Sequence, residues 1–230
     1  MKLARVNTTK QEIITVASKL FLEKGYSETS PKMICEELGI STGNLTYYFP
    51  TKEHLLAELV KLLCGFQYDM MVEEAADGIS EVLAVCLEFA TMAAASETDE
   101  VVKDFFLASY SNPICLDIIR KNDTERAKKV FAEYRPDWTD EQFAEAEILV
   151  SGIEFATLMT TENAVDIESR VTGALNNILG IYGVPEEVRN LKIKKVFDSN
   201  YKSLGKKVLK NFRKYVEKTN EHTFMEMLKR

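Results

Sequence analysis

The sequence predicts an all-α fold: a short N-terminal unit of three helices followed by a longer helical body. Three observations carry this. Apolar residues recur at three- and four-residue steps in one segment after another, and no segment shows the strict alternation of a strand. Only five prolines interrupt 230 residues. Ser, Thr, Asn or Gly stands where many of the periodic segments begin or end, as helix caps require. An apolar fraction of 46% supplies ample core, for one large domain or two small ones.

Taken in order, Thr9 with Glu12 reads as a capping box opening a helix whose buried face is Ile13, Ile14, Val16, Ala17, Leu20 and Phe21; Gly25 closes it. Ser30 caps the next helix, with Pro31 at its first position, where a missing N–H costs nothing. Met33, Ile34 and Leu38 follow at helical spacing, and Gly39 ends the helix. Ser41 caps a short polar helix from Thr42 to Tyr48, anchored by Leu45. Two short helices around a glycine turn place the second in a DNA major groove. Thr51 then caps a fourth helix through Leu55, Leu56, Leu59, Leu62 and Leu63.

A break falls at Asp77-Gly78, and residues 80–95 are apolar almost all round, as in a central buried helix. Helices are expected at 98–110 and from Pro113 into the low 120s, with a turn or kink at Asn122-Asp123 before 124–134. Thr139 with Gln142 makes a capping box for a long helix from 140 to about 161; another spans about 166–181, closed by Gly183 and Pro185. Residues 186–219 form one or two amphipathic helices with a basic outer side. The expected domains are 6–66, which holds the helix–turn–helix, 67–183, a helical body, and 184–230, a basic helical extension.

Side chains on the short polar helix suit base and phosphate contact. With Leu45 and Tyr48 inward, Thr42, Gly43, Asn44 and Thr46 face the groove. Asn44 pairs with adenine, the threonines offer methyls to thymine, and Gly43 permits close approach. Ser41, and Thr29 and Ser30 at the start of the preceding helix, are further contacts. A solvated helix surface is the ordinary alternative for each side chain singly.

The stretch Glu36-Glu37-Leu38-Gly39-Ile40-Ser41, then Gly43, Leu45, Tyr47-Tyr48-Phe49-Pro50 and Lys52-Glu53, resembles the signature of the TetR-type transcriptional regulators. The resemblance extends back through Gly25-Tyr26 and Leu20-Phe21 to Ile13-Ile14, and covers about the first 60 residues. It implies that Tyr47 and Lys52 contact phosphate, and that the protein is a dimeric repressor on a pseudo-palindromic operator in double-stranded DNA. It also implies a small-molecule effector, of unknown identity, that releases the DNA. Thr46 stands where an aromatic is common, so base preference does not carry over from relatives.

By the same resemblance the two long helices pair with their copies in a homodimer; Ile148, Gly152, Ala156, Ala174 and Ile178 are the candidate contacts. Phe89, Met92, Phe105, Phe106, Tyr110, Phe155 and Met159 are candidates to line an effector cavity, with plain core packing as the alternative.

The net charge of −7 is uneven: +2 over residues 1–52, −16 over 53–182 and +7 over 183–230. An acidic middle is repelled by phosphate, so DNA contact is confined to the less acidic N-terminal end. No apolar run reaches the ~18 residues of a membrane span, and the N-terminus lacks a secretory pattern. Four scattered cysteines without CxxC spacing fit buried thiols in a reducing cytoplasm. Two isolated histidines and the absence of phosphate-cradling or nucleophile motifs argue against an enzyme, a metal or a cofactor. The competing class is a helical interaction or membrane-surface protein using the basic C-terminal stretch.

Overall fold

The computed structural model describes residues 2–74, 80–160 and 164–228, and every regular element among them is an α-helix. In chain order these are α1 (Lys2–Lys24), α2 (Pro31–Leu38), α3 (Thr42–Tyr48), α4 (Lys52–Glu74), α5 (Glu81–Thr98) and α6 (Glu100–Ser111). Then come α7 (Pro113–Phe131), α8 (Asp140–Leu158), α9 (Ile167–Ile181), α10 (Glu186–Asp198) and α11 (Tyr201–Leu228).

Local chemistry sets most helix starts. The Asp99 carboxylate accepts from the N–H groups of Val101 and Val102, and the Asn112 amide oxygen does the same for Ile114 and Cys115 ahead of Pro113. Thr139 and Gln142 form the full reciprocal capping box, and Asp166 caps α9 through the Ser169 N–H. Each such cap stabilises its helix by about 1 kcal/mol.

Helix α5 is the centre of the molecule. It is buried nearly all round and is packed by α4, α6, α8, α9, α10 and α11. Helices α1 to α3 form the N-terminal unit, which α4 and α6 join to this core. Apolar side chains of α1 (Ile13, Ala17, Phe21), α2 (Ile34) and α3 (Leu45) are almost completely buried.

The C-terminal segment is packed into the molecule rather than appended to it. Helix α11 lies across α5, α1 and α4. Phe212 meets Phe66 of α4 at 5.4 Å, and the Arg213 guanidinium donates to the Leu22 carbonyl of α1 at 2.8 Å. The crossing is close at Gly205, where a Cβ would sit 2.7 Å from the Thr91 backbone oxygen. A backbone carbonyl inside a helix cannot swing away, so Gly205→Ala is expected to cost about 1–3 kcal/mol, read as a lowered urea midpoint.

Three expectations change, and a fourth is narrowed. Helix α1 begins at Lys2, so Thr9 lies within a helix and does not cap one. Asn122 and Asp123 lie inside the unbroken α7, where Asp123 pairs with Arg126 one turn on. The long helix expected to reach about 161 ends at Leu158. Of the one or two helices expected over 186–219 there are two, the second running on to Leu228. The break expected at Asp77-Gly78 lies outside the described residues.

Candidate nucleic-acid interface and effector cavity

The turn between α2 and α3 is built from few atoms. Ser30 Oγ accepts from the Met33 N–H at 3.3 Å, with Pro31 behind it. At the other end Gly39 takes φ +63°, and the Ile40 N–H donates back to the Cys35 carbonyl at 3.0 Å. That left-handed conformation is strained for a residue with a Cβ. Ser41 Oγ then accepts from the Asn44 N–H at 3.2 Å and starts α3. Leu45 and Phe49, 2% and 4% exposed, pin α3 to the core, and Tyr48 is half-buried.

The opposite side of α3 is open. Ser41, Thr42, Gly43, Asn44 and Thr46 are exposed, and Tyr47 is 76% exposed with its ring edge-on to Tyr48 at 5.0 Å. The Thr46 hydroxyl donates to the Thr42 carbonyl at 3.1 Å, which leaves its methyl outward-available and its hydroxyl engaged. Ser30 is exposed beside this face at the start of α2.

Two proposed phosphate contacts are corrected. Thr29 is 1% exposed; its hydroxyl donates to the Gly25 carbonyl at 2.7 Å and faces the protein interior. The Lys52 ammonium donates to the carbonyls of Tyr26 (2.9 Å) and Thr29 (3.0 Å) and sits 4.0 Å from the centre of the Tyr26 ring. Burial pulls its pKa below the ordinary lysine value, against the opposing charges of Glu53 and Asp104. Lys52 thus ties the start of α4 to the α1–α2 loop, and Tyr26 O–H completes the tie by donating to Glu53 at 3.1 Å.

Asp104 of α6 holds the same loop from the body side. Its carboxylate accepts from the Ser27 N–H at 2.8 Å and from the Ser27 hydroxyl. Asp104→Ala is expected to cost about 1–2 kcal/mol. Calorimetry should show that as a fall of about 2–4 °C in melting temperature per kcal/mol.

Helix α6 also reaches a cavity of about 50 Å³ between α4, α5, α7 and α8. Of the seven pocket candidates, Phe89, Met92, Phe106 and Tyr110 line it. The other three do not. Phe105 packs instead beside Leu22 and Phe212, Phe155 is half-buried on α8, and Met159 is 53% exposed. A second cavity of about 20 Å³ adjoins it, sharing Val85, Phe89, Asp123, Arg126 and Glu154 and reaching Glu147 and Tyr182.

Charged residues of these cavities escaped the sequence reading. Arg126 lies 2.7 Å from Glu88 and 2.8 Å from Asp123. Tyr110 O–H donates to Glu154 at 2.8 Å, and Tyr182 O–H donates to Glu147. A signal was present: Glu147, Ser151 and Glu154 fall on the helical face shared with Phe143 and Val150.

On α8, Ile148 and Leu149 are 53% and 59% exposed, and Gly152 and Ala156 are exposed on the same side. Ala174 and Ile178 are instead 6% and 3% exposed and pack within the protomer. The open side of α9 carries Ser169, Gly173 and Asn177.

A short helix–turn–helix with a capped, solvent-facing second helix, carried on an all-helical body, is the architecture that the structure defines. Residues 13–59 match the family model described as "Bacterial regulatory proteins, tetR family". That match covers the second half of α1, α2, α3 and the start of α4, 47 of the 230 residues.

The chain is 48% identical over 57 residues to the HTH-type transcriptional regulator YuxN of Bacillus subtilis, which is 25% of this chain and 18% of that protein. It is 40% identical over 53 residues to the HTH-type transcriptional regulator QacR of Staphylococcus aureus, 23% of this chain and 28% of that one. The matched stretches thus span less than a third of these relatives. In fold, the chain is similar to Thermus thermophilus FadR, a TetR-family transcriptional repressor solved with lauroyl-CoA. That likeness has a TM-score of 0.56 at 18% identity and covers 74% of this chain and 93% of that one.

Proposed function

We propose that the protein is a homodimeric, sequence-specific DNA-binding transcriptional regulator of the cytoplasm, a repressor released from its operator by a small-molecule effector. The observation that carries this reading is α3: a helix capped at Ser41 and pinned by Leu45, with Asn44, Thr42, Gly43 and Tyr47 all directed to solvent. A helix so held can enter a major groove, and its polar side chains match base-edge and phosphate chemistry. Helix–turn–helix dimers place two such helices on half-sites one turn, ~34 Å, apart. The exposed apolar side of α8 supports the dimer, because contiguous apolar surface marks an interaction face.

Release follows from the connections of α6. That helix lines the cavity at Phe106 and Tyr110 and grips the α1–α2 loop through Asp104, while α4 lines the cavity at Val60 and Leu63 and grips the loop through Lys52. An effector that fits one placement of α4 and α6 better than another biases the two recognition helices by its differential affinity.

The competing membrane-surface reading loses its support in α11. The apolar face of that helix, Tyr201, Val208, Phe212 and Val216, is buried within the protomer, so its described part presents no apolar stripe to a bilayer. Among the described residues no helix is long and apolar enough to cross a membrane.

The test is fluorescence anisotropy with the duplex upstream of the protein's own gene and a scrambled duplex of equal length. Specific binding should be at least about 10³-fold tighter, weakening as salt rises. Equal affinity for the two duplexes would overturn the regulator reading.

A further inference from the structure

We propose that the paired cavities bind a small organic cation, its ammonium or guanidinium head seated among Glu147, Glu154, Glu88 and Asp123. The proposal rests on the regulator reading only in naming these cavities as the effector site.

Charge balance is the first reason. Four carboxylates converge on the cavities against Arg126, which is shared between Glu88 and Asp123. The nearby Arg120 is turned to Ser151, its Nε donating to the hydroxyl at 2.9 Å. Buried charge is ordinarily neutralised by pairing, and here acid exceeds base.

The second reason is an orphan oxygen. Glu147 is 3% exposed and lines the smaller cavity; one carboxyl oxygen accepts from Tyr182, and the other, Oε2, has no hydrogen-bond partner. A buried acceptor without a donor is costly, and a ligand N–H or N⁺ supplies what is missing.

Size and lining fit the same chemistry. A cavity needs roughly 10–15 Å³ per water, so about 50 Å³ takes about three or four heavy atoms. That is a short alkylammonium ion as a whole, its nitrogen toward the carboxylates and its methylenes along Phe89, Met92 and Phe106. An aromatic face and a thioether both favour a cation with methylene groups.

The site would also exchange protons. Burial, reinforced by Asp123, holds the Glu147 and Glu154 carboxyls above the ordinary carboxylate range, with their tyrosine partners, Arg126 and, for Glu147, the charge of Arg120 opposing. Burial pushes Glu88 up to about 7. Tyr110, Tyr182 and the Cys64 thiol are raised as well and stay neutral, so they add no charge. A cation favours the ionised carboxylate, so its arrival expels a proton, and binding tightens from about pH 6 to about pH 8.

The experiment titrates full-length protein with alkylammonium ions from propyl to hexyl, and with the matching carboxylates and alcohols. Binding is read by calorimetry and by emission of the sole tryptophan, Trp138, whose ring lies 6.2 Å from that of Tyr182. The ammonium ions should bind saturably, release protons, and lose about tenfold or more in affinity in Glu147→Gln and Glu154→Gln. The pH series on the unaltered protein serves should either variant fail to fold. The proposal is overturned if carboxylates or alcohols bind as well as the ammonium ions, if no ammonium ion binds, or if affinity falls as pH rises. Operator binding is measured on the same samples without amine. Its absence would overturn the regulator reading alone, whereas intact operator binding without amine binding would overturn only the cation site.

Discussion

Asn44→Ala is expected to weaken binding to the operator by about 2–6 kcal/mol in the dimer, a loss of roughly 30-fold or more. A bidentate amide–adenine contact is worth about 1–3 kcal/mol, and a two-fold operator counts it twice. Affinity for scrambled duplex should hardly change, because a base contact carries no weight where the base is wrong. Tyr47→Phe behaves differently. Loss of a phosphate hydrogen bond should weaken specific and scrambled duplex alike, and the salt slope should stay constant, because no charge is removed. Neither change should alter stability by more than about 0.5 kcal/mol, since both side chains are exposed. Anisotropy on both duplexes, beside calorimetry of the free protein, separates these outcomes.

The second large effect is expected at the proposed dimer face. Leu149→Asp, at a position 59% exposed in the protomer, should leave folding intact and split the dimer. An interface anchor is worth about 2 kcal/mol or more, and two-fold symmetry places two in every dimer. The dimer dissociation constant should therefore rise by about 10³-fold, visible by sedimentation equilibrium. Operator affinity should fall with it, because a single half-site supports too few contacts. Ala174 and Ile178 offer a contrast. Charged substitutions there should unfold the protomer, since both side chains already fill its own core.

Local chemistry made the N-terminal unit legible. Ser30, Pro31, Gly39 and Ser41 act within four residues of themselves, so their roles can be read along the chain. Lys52 could not be read that way. Its partners are the carbonyls of Tyr26 and Thr29, over twenty residues earlier, and a lysine at a helix start otherwise suits an anion as well as a carbonyl. Helix α9 shows a related limit: its apolar stripe is plain in the sequence, but only packing tells whether the stripe meets the protomer's own α5 or a second copy. The cavity was legible in its aromatic residues and missed in its charges. Glu88, Asp123 and Arg126 pass for surface residues on helices until α4, α5 and α7 bring them together. The Asn122-Asp123 pair read as a break for the same reason, because Asp123 is stabilised in mid-helix by Arg126.

Hydroxyl-radical footprinting of the upstream duplex, combined with interference by 7-deazaadenine substitution, which removes the major-groove N7 acceptor, tests the entry of α3 into DNA most directly. The expected result is two protected half-sites related by a two-fold axis, centred about one helical turn (~34 Å) apart, with interference in each major groove that disappears in Asn44→Ala. A single protected patch, protection without sequence preference, or a major-groove signal unchanged in Asn44→Ala would contradict it.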